Sequence, residues 1–338
     1  MNGETALNGA SDCVARGDYR AAIERLTSAN RRAADGDVER RLVELRHLGF
    51  AALPAPPGAA GWPPVLSDPF PGALGVPEIA AADVTSAILG GALLHHGSLL
   101  VRGLVPAPRA AILRQAIDHA FAAYDASRVG TATAEDARWF TVFEPQFGST
   151  FSAVERQWMR DCGGVLLADS PRALFEMIEI WSAVGLGALL EGYLGEWPAL
   201  SYKKCTLRRT PADVPTEWHQ DGAFLGVDTR TVNVWLACSP CGVEAPSLDI
   251  VPRRLSEIVP TGTADAQWDW SVGPSVASRI AGGAPARPEF APGDALLFDQ
   301  MTLHRTGVSP RMTRTRYAIE SWFFAPSTYP QDQVPILF

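Results

Sequence analysis

The sequence has no lysine- or arginine-rich run, and its formal net charge is −8. A nucleic-acid partner therefore has no electrostatic footprint. The same deficit argues against a polybasic contact with a membrane surface. No apolar stretch approaches the ~20 residues that cross a bilayer. The opening Met1-Asn2-Gly3-Glu4 lacks the basic and apolar segments of a signal peptide, so a cytoplasmic location is expected. Cysteine is sparse: five residues, an odd number in a chain of 338, build no disulfide framework. Cys238 and Cys241 have redox or zinc spacing, but no second pair completes a zinc site, and two reduced thiols are expected.

What is present looks like a globular chain long enough to bury a large core. Residues 11–50 read as a helical hairpin. Asp18 can cap a helix carrying Tyr19, Ile23 and Leu26, and Asp37 a second carrying Val38, Leu42 and Leu45. The hairpin (1–53) is expected to pack on the main domain or to make a homodimer. Pro54 to Pro77 holds eight prolines, so 54–80 is expected to be a linker or belt. Helix signals return at 81–94 and 107–124 around a buried strand, Ser98 to Val101. Residues 127–169 look irregular but aromatic. Trp139 to Trp158, with Arg156 or Arg160, are where a substrate pocket is sought. His95, His96 and His119 have no ligand-type residue at a useful spacing and read as structural. A helix then starts at Ser170-Pro171.

After residue 200 the apolar period changes from helical to alternating. Strands are expected at 202–209, 231–239, 248–251, 295–298 and 317–324, separated by turns rich in Pro and Gly. Helices gathered before many short strands predict a mainly β domain over 81–338, with flanking helices and a jelly-roll core.

Chemistry is concentrated in Trp218-His219-Gln220-Asp221-Gly222. On a strand, His219 and Asp221 would face one side. With His304, the only other histidine in the C-terminal half, they supply the atoms of a 2-His-1-carboxylate site that holds Fe(II) with open positions. The alternative is an ordinary hydrogen-bonded His219–Asp221 pair with His304 on a surface turn. Arg314 and Arg316, sharing one strand parity, precede Tyr317 to Phe324, and either could grip a carboxylate in bidentate fashion. Arg316, which abuts the strand, is the better buttressed.

The order of these pieces resembles the phytanoyl-CoA dioxygenase family of Fe(II)/2-oxoglutarate oxygenases. The likeness rests on Trp218 to Gly222, Val234-Trp235-Leu236-Ala237, His304-Arg305-Thr306-Gly307 and Arg316-Tyr317-Ala318-Ile319. Leu99 to Leu104 resembles the family's opening strand, so the likeness spans roughly residues 85–326. It implies a double-stranded β-helix with iron on His219, Asp221 and His304. It also implies 2-oxoglutarate on Arg316, with Thr306 as a hydroxyl partner and Trp235 against the cosubstrate. In that family the arginine falls between the positions of Arg314 and Arg316, so both remain open.

Related halogenases carry a small residue in place of the metal-binding carboxylate. With Asp221 present, the resemblance implies hydroxylation of a small-molecule substrate at an unactivated C–H bond. O2 would be consumed, with release of succinate and CO2. Desaturation, cyclisation or epimerisation would use the same ligands. A zinc-type hydrolase would use the three ligands around an activated water, but offers no use for the arginine. A non-catalytic jelly-roll binding protein is the third alternative.

Overall fold

The computed structural model describes residues 3–54, 61–330 and 332–338. Three helices open it rather than a hairpin: α1 (Gly3–Ala15), α2 (Tyr19–Arg32) and α3 (Gly36–Ala51). The buried stripe of α1 is Ala6, Ala10 and Cys13, small side chains that give a weak periodic signal. Asp18 caps α2 as expected, accepting from the Ala21 amide. The cap of α3 is Asp35, not Asp37. Its carboxylate accepts from the Asp37 and Val38 amides, leaving Asp37 in the first turn, where the helix dipole favours an acid.

Glu39 of α3 is fully buried and accepts from Asn30, Arg138 and Arg172, at 3.1, 3.2 and 2.8 Å. His47 donates from Nδ1 to the Pro335 carbonyl (2.9 Å), while its Nε2 accepts from the Gln146 amide (3.1 Å). Burial lowers its pKa, in keeping with this neutral tautomer. The helices are thus riveted to the chain that follows. Replacing Glu39 by alanine, which strips two arginines of a common acid, should cost about 3 kcal/mol. Chemical denaturation measures it, and a loss within experimental error would show that solvent takes over the arginines.

Of the expected belt, residues 55–60 lie outside the described residues, and 61–77 have no helix or strand. Then come β1 (Glu78–Ala80), α4 (Ser86–His96), β2 (Ser98–Arg102) and α5 (Ala107–Arg128). The stretch expected to be irregular contains α6 (Asp136–Trp139), α7 (Ala153–Asp161) and β3 (Gly164–Leu166). A Ser152–Glu155 capping box starts α7, the Ser-x-x-Glu spacing being its signal in the sequence. Two helices follow, α8 (Pro171–Ala183) and α9 (Leu186–Leu194). Among the described residues no single helix is long and apolar enough to cross a membrane.

The strand-rich half comprises β4 (Ala199–Ser201), β5 (Thr206–Thr210), a single turn α10 (Gly222–Leu225), β6 (Thr231–Ala237), β7 (Ser247–Ile250), α11 (Pro274–Ala281), β8 (Ala295–Phe298), β9 (His304–Gly307), β10 (Arg316–Phe324) and β11 (Pro335–Leu337). The large sheet runs β1-β2-β8-β6-β10-β4-β11, with β5 also on β10 and β3 on β5. A second sheet pairs β7 with β9. This is the sheet-dominated double-stranded β-helix core with flanking helices.

Register decides what faces inward. On β10 the residues Arg316, Ala318, Glu320 and Trp322 stand opposite Thr210, Arg208 and Thr206 of β5, and Ala237, Trp235 and Asn233 of β6. Glu320 accepts from Thr206 (2.6 Å) and Arg208 (2.9 Å) on that face, while Trp322 meets Phe298. The alternate residues turn to the helices: Ser321 reaches Met177 of α8, and Tyr317 donates to Asp118 of α5. A buried polar face inside a barrel is costly unless something uses it.

Candidate metal and cosubstrate site

The two histidines meet through backbone pairing. His219 and His304 form an isolated antiparallel bridge, each amide donating to the other's carbonyl at 3.0 Å, and their ring centroids are 4.4 Å apart. Each ring turns its Nδ1 to the carbonyl two residues earlier, Glu217 at 2.8 Å and Thr302 at 3.0 Å. With Nδ1 as donor, both Nε2 atoms are free lone pairs facing the centre.

Asp221 departs from the strand reading. It has helical dihedrals (φ −63°, ψ −22°) and opens α10, so a turn rather than strand periodicity brings its carboxylate to the histidines. Gln220 pins that turn. Its side chain donates to the carbonyls of Met301 (2.8 Å) and Glu257 (3.2 Å) and accepts from the Val259 amide (2.7 Å). Gly222 is needed for close approach, since a Cβ there would lie 2.7 Å from Ile258 and 3.0 Å from the Gln300 carbonyl.

The result is one ligand atom from each of His219, Asp221 and His304, all within 4.8 Å of one another. Asp221 Oδ2 lies 3.7 Å from His304 Nε2, and Asp221 Oδ1 lies 2.6 Å from Lys204 Nζ. Burial works against the Asp221 carboxylate, but Lys204, His219 and His304 outweigh it and hold the group well below the usual carboxylate range. Burial, then His219, pushes His304 down to about 4. A neutral imidazole beside an ionised carboxylate is the protonation state that metal binding requires.

Arg316 is 2% exposed on the inner face of β10. Its Nη1 donates to the Ser247 carbonyl (3.1 Å) and its Nη2 to Thr210 Oγ1 (3.1 Å), with Thr306 Oγ1 accepting from both at 3.4 Å. The guanidinium stands 5.5 Å from the Trp235 ring centroid, and among the described residues it pairs with no carboxylate and its Nε has no partner. Burial lowers its pKa to about 10. Trp235 Nε1, Asn233 Oδ1 and Arg208 Nε are likewise buried without partners among the described residues. The orphaned donors Arg316 Nε, Trp235 Nε1 and Arg208 Nε fit a bound dicarboxylic acid, and the three-atom cluster fits a metal ion. Arg314 instead pairs with Glu244 at 3.1 Å, is 72% exposed, and lines a cavity of about 880 Å³ outside the barrel with Arg102, Cys241 and Tyr317.

Other candidates fall elsewhere. Arg156 is spent on Asp169 (2.8 Å) and the Tyr202 hydroxyl (2.6 Å), and Arg160 on Asp125 (2.6 Å). Trp139 stacks on His119, and Trp158 is an exposed residue of α7. Of the aromatic stretch, Phe151 lies beneath Lys203. His95 and His96 bond to the Leu66 carbonyl and Asp68. Cys238 and Cys241 are buried free thiols, and burial pushes Cys241 up to about 11.

Two residues that hold the site were missed in the sequence, Gln220 and Lys204. Gln220 carries no signal, because its partners come from two distant loops. Lys204 did carry one, because Lys203 and Lys204 are the only lysines in the chain. Their place follows from a break in the expected 202–209 strand, where Ser201 Oγ accepts from the Lys204 amide at 3.2 Å and turns the chain between β4 and β5.

A sequence model of the phytanoyl-CoA dioxygenase (PhyH) family matches residues 93–314, well over half the chain. The protein belongs to the phytanoyl-CoA dioxygenase family. It is therefore an Fe(II)/2-oxoglutarate-dependent oxygenase by family, with O2 as the second cosubstrate. His219, Asp221 and His304 lie inside the match, and Arg316 lies just beyond it.

Among solved structures, the chain is similar to the non-heme alpha-ketoglutarate-dependent carbocyclase SnoK from nogalamycin biosynthesis. The two share 12% identity over 74% of this chain and 87% of SnoK, with a TM-score of 0.46. EctD from S. alaskensis, solved with 2-oxoglutarate and 5-hydroxyectoine, gives 16%, 68%, 72% and 0.46 in the same order. EvdO2 from Micromonospora carbonacea var. aurantiaca, complexed with 2-oxoglutarate, gives 17%, 68%, 86% and 0.43. No curated protein matches the chain.

Proposed function

We propose that this family member hydroxylates an unactivated C–H bond of a small molecule, with His219, Asp221 and His304 holding Fe(II) and Arg316 holding 2-oxoglutarate. The observation that carries the reading is a buried guanidinium with no described carboxylate partner, which reaches from β10 to Thr306 of β9, the strand that His304 opens, while three ligand atoms converge at His304. Bound iron and 2-oxoglutarate would activate O2, with release of succinate and CO2.

The chain's own residues do the rest. The bridged histidines, each with Nδ1 turned to a backbone carbonyl, offer their Nε2 atoms, and Asp221 offers Oδ2 while Lys204 holds Oδ1. Arg316 and Thr306, both buried, would grip the far carboxylate of the cosubstrate, and the buried Trp235 ring would shield it from water. Asp221 occupies the position that a halide would need, which favours transfer of oxygen to the substrate carbon.

Anaerobic titration of Fe(II) into the protein with 2-oxoglutarate should raise a weak visible charge-transfer band. Admission of O2 should then yield succinate in step with oxygen consumed. Absence of the band, or oxygen uptake indifferent to 2-oxoglutarate, would reject the assignment of these residues.

A further inference from the structure

Of 29 lysine and arginine residues only two are lysine, adjacent at 203 and 204. Arginine suits fixed, forked pairing, whereas a lysine brings a compact ammonium with three donors on a mobile stem. Lys203 turns to Ser149 and the Phe151 ring. Lys204 turns to the metal cluster, with Nζ 2.6 Å from Asp221 Oδ1 and 5.4 Å from the Phe224 ring centroid. Asp221 uses one donor, no other hydrogen bond of the ammonium to a described residue is seen, and the side chain is a quarter exposed.

The wall beside it is aromatic. Phe224 is 51% exposed and Trp270 40%, with ring centroids 6.5 Å apart, and Trp270 lies 6.2 Å from the His219 ring. Two large rings left open side by side at the rim of a polar site are not accounted for by core packing. Phe224 lies in the turn that Asp221 opens, so whatever rests on this wall is held in register with the metal ligand.

We propose that Lys204, Phe224 and Trp270 form the substrate subsite, and that it selects a ring-bearing small-molecule carboxylate. This rests on the metal and 2-oxoglutarate assignment above and names the substrate class for it. The rings take the apolar body, and the free donors of Lys204 take an acidic oxygen. One ammonium already shared with Asp221 suits a singly charged oxyanion, whereas a phosphate calls for several converging donors. An acid held there places its ring system over the open side of the cluster, next to His219.

The test uses the full chain loaded with Mn(II) and saturating 2-oxoglutarate, with 2-naphthoate and neutral 2-naphthalenemethanol as probes in calorimetric titrations. Manganese occupancy is read by electron paramagnetic resonance. The wild type should bind the carboxylate about tenfold more tightly than the alcohol. Lys204→Met should erase that preference by weakening the carboxylate alone, and Lys204→Arg should retain part of it. Trp270→Ala should weaken both probes in parallel.

A preference that survives Lys204→Met, a wild type that binds both probes equally, or one that binds neither, overturns the subsite. Loss of manganese in Lys204→Met with the preference intact would reduce Lys204 to a support for Asp221. Failure of the wild type to take up manganese would instead sink the metal assignment, so the two failures are told apart.

Discussion

Asp221→Ala should abolish 2-oxoglutarate-dependent oxygen uptake, with turnover falling by ~10³-fold or more because a three-ligand site loses its only anionic member. The change also reverses local electrostatics. In the wild type the carboxylate balances the Lys204 ammonium at 2.6 Å. Without it the Lys204 ammonium stands unbalanced beside an incoming dication, and a cation is repelled. The fold should survive, because Gln220, not Asp221, ties the turn to the loops around Met301 and Val259. The measurements are Fe(II) affinity under anaerobic competition, succinate formation and the thermal midpoint. Retention of more than a tenth of wild-type turnover would move the metal to other residues.

The same residue shows how far a sequence can be read. The residue types of the site were legible because few histidines occur and each falls in a distinctive setting. Their geometry was not. Strand periodicity would place His219 and Asp221 on one face, yet Asp221 starts a helical turn and the histidines are joined by a bridge. That pairing joins segments far apart in sequence, so no local pattern reports it.

The helices were legible where large apolar residues recur, as in α2 and α3, and not in α1, whose buried stripe is alanine and cysteine. The aromatic run before 169 was offered as pocket wall, but Arg156 is consumed by Asp169 and Tyr202. Aromatic content marks burial without saying which cavity is served. Lysine scarcity was a usable clue, since a residue type spared at only one place invites the question of what its chemistry does there.

Arg316→Met should weaken 2-oxoglutarate by about 10²-fold, since loss of a bidentate charge-assisted contact costs about 3 kcal/mol. Fe(II) affinity should change little, because Arg316 touches none of the three ligands. The ligand-free protein should not lose stability in proportion. In the absence of cosubstrate the guanidinium is buried with no facing carboxylate and an unsatisfied Nε, so an apolar side chain of similar length relieves a desolvation cost.

The diagnostic is therefore a split. Saturating 2-oxoglutarate raises the thermal midpoint of the wild type through linkage and leaves that of the variant nearly unchanged. Arg314→Ala, which removes an exposed partner of Glu244, should leave both quantities within error. Were Arg314→Ala instead to weaken 2-oxoglutarate while Arg316→Met did not, the cosubstrate would lie outside the barrel, and the inward-facing polar wall of β10 would need another explanation.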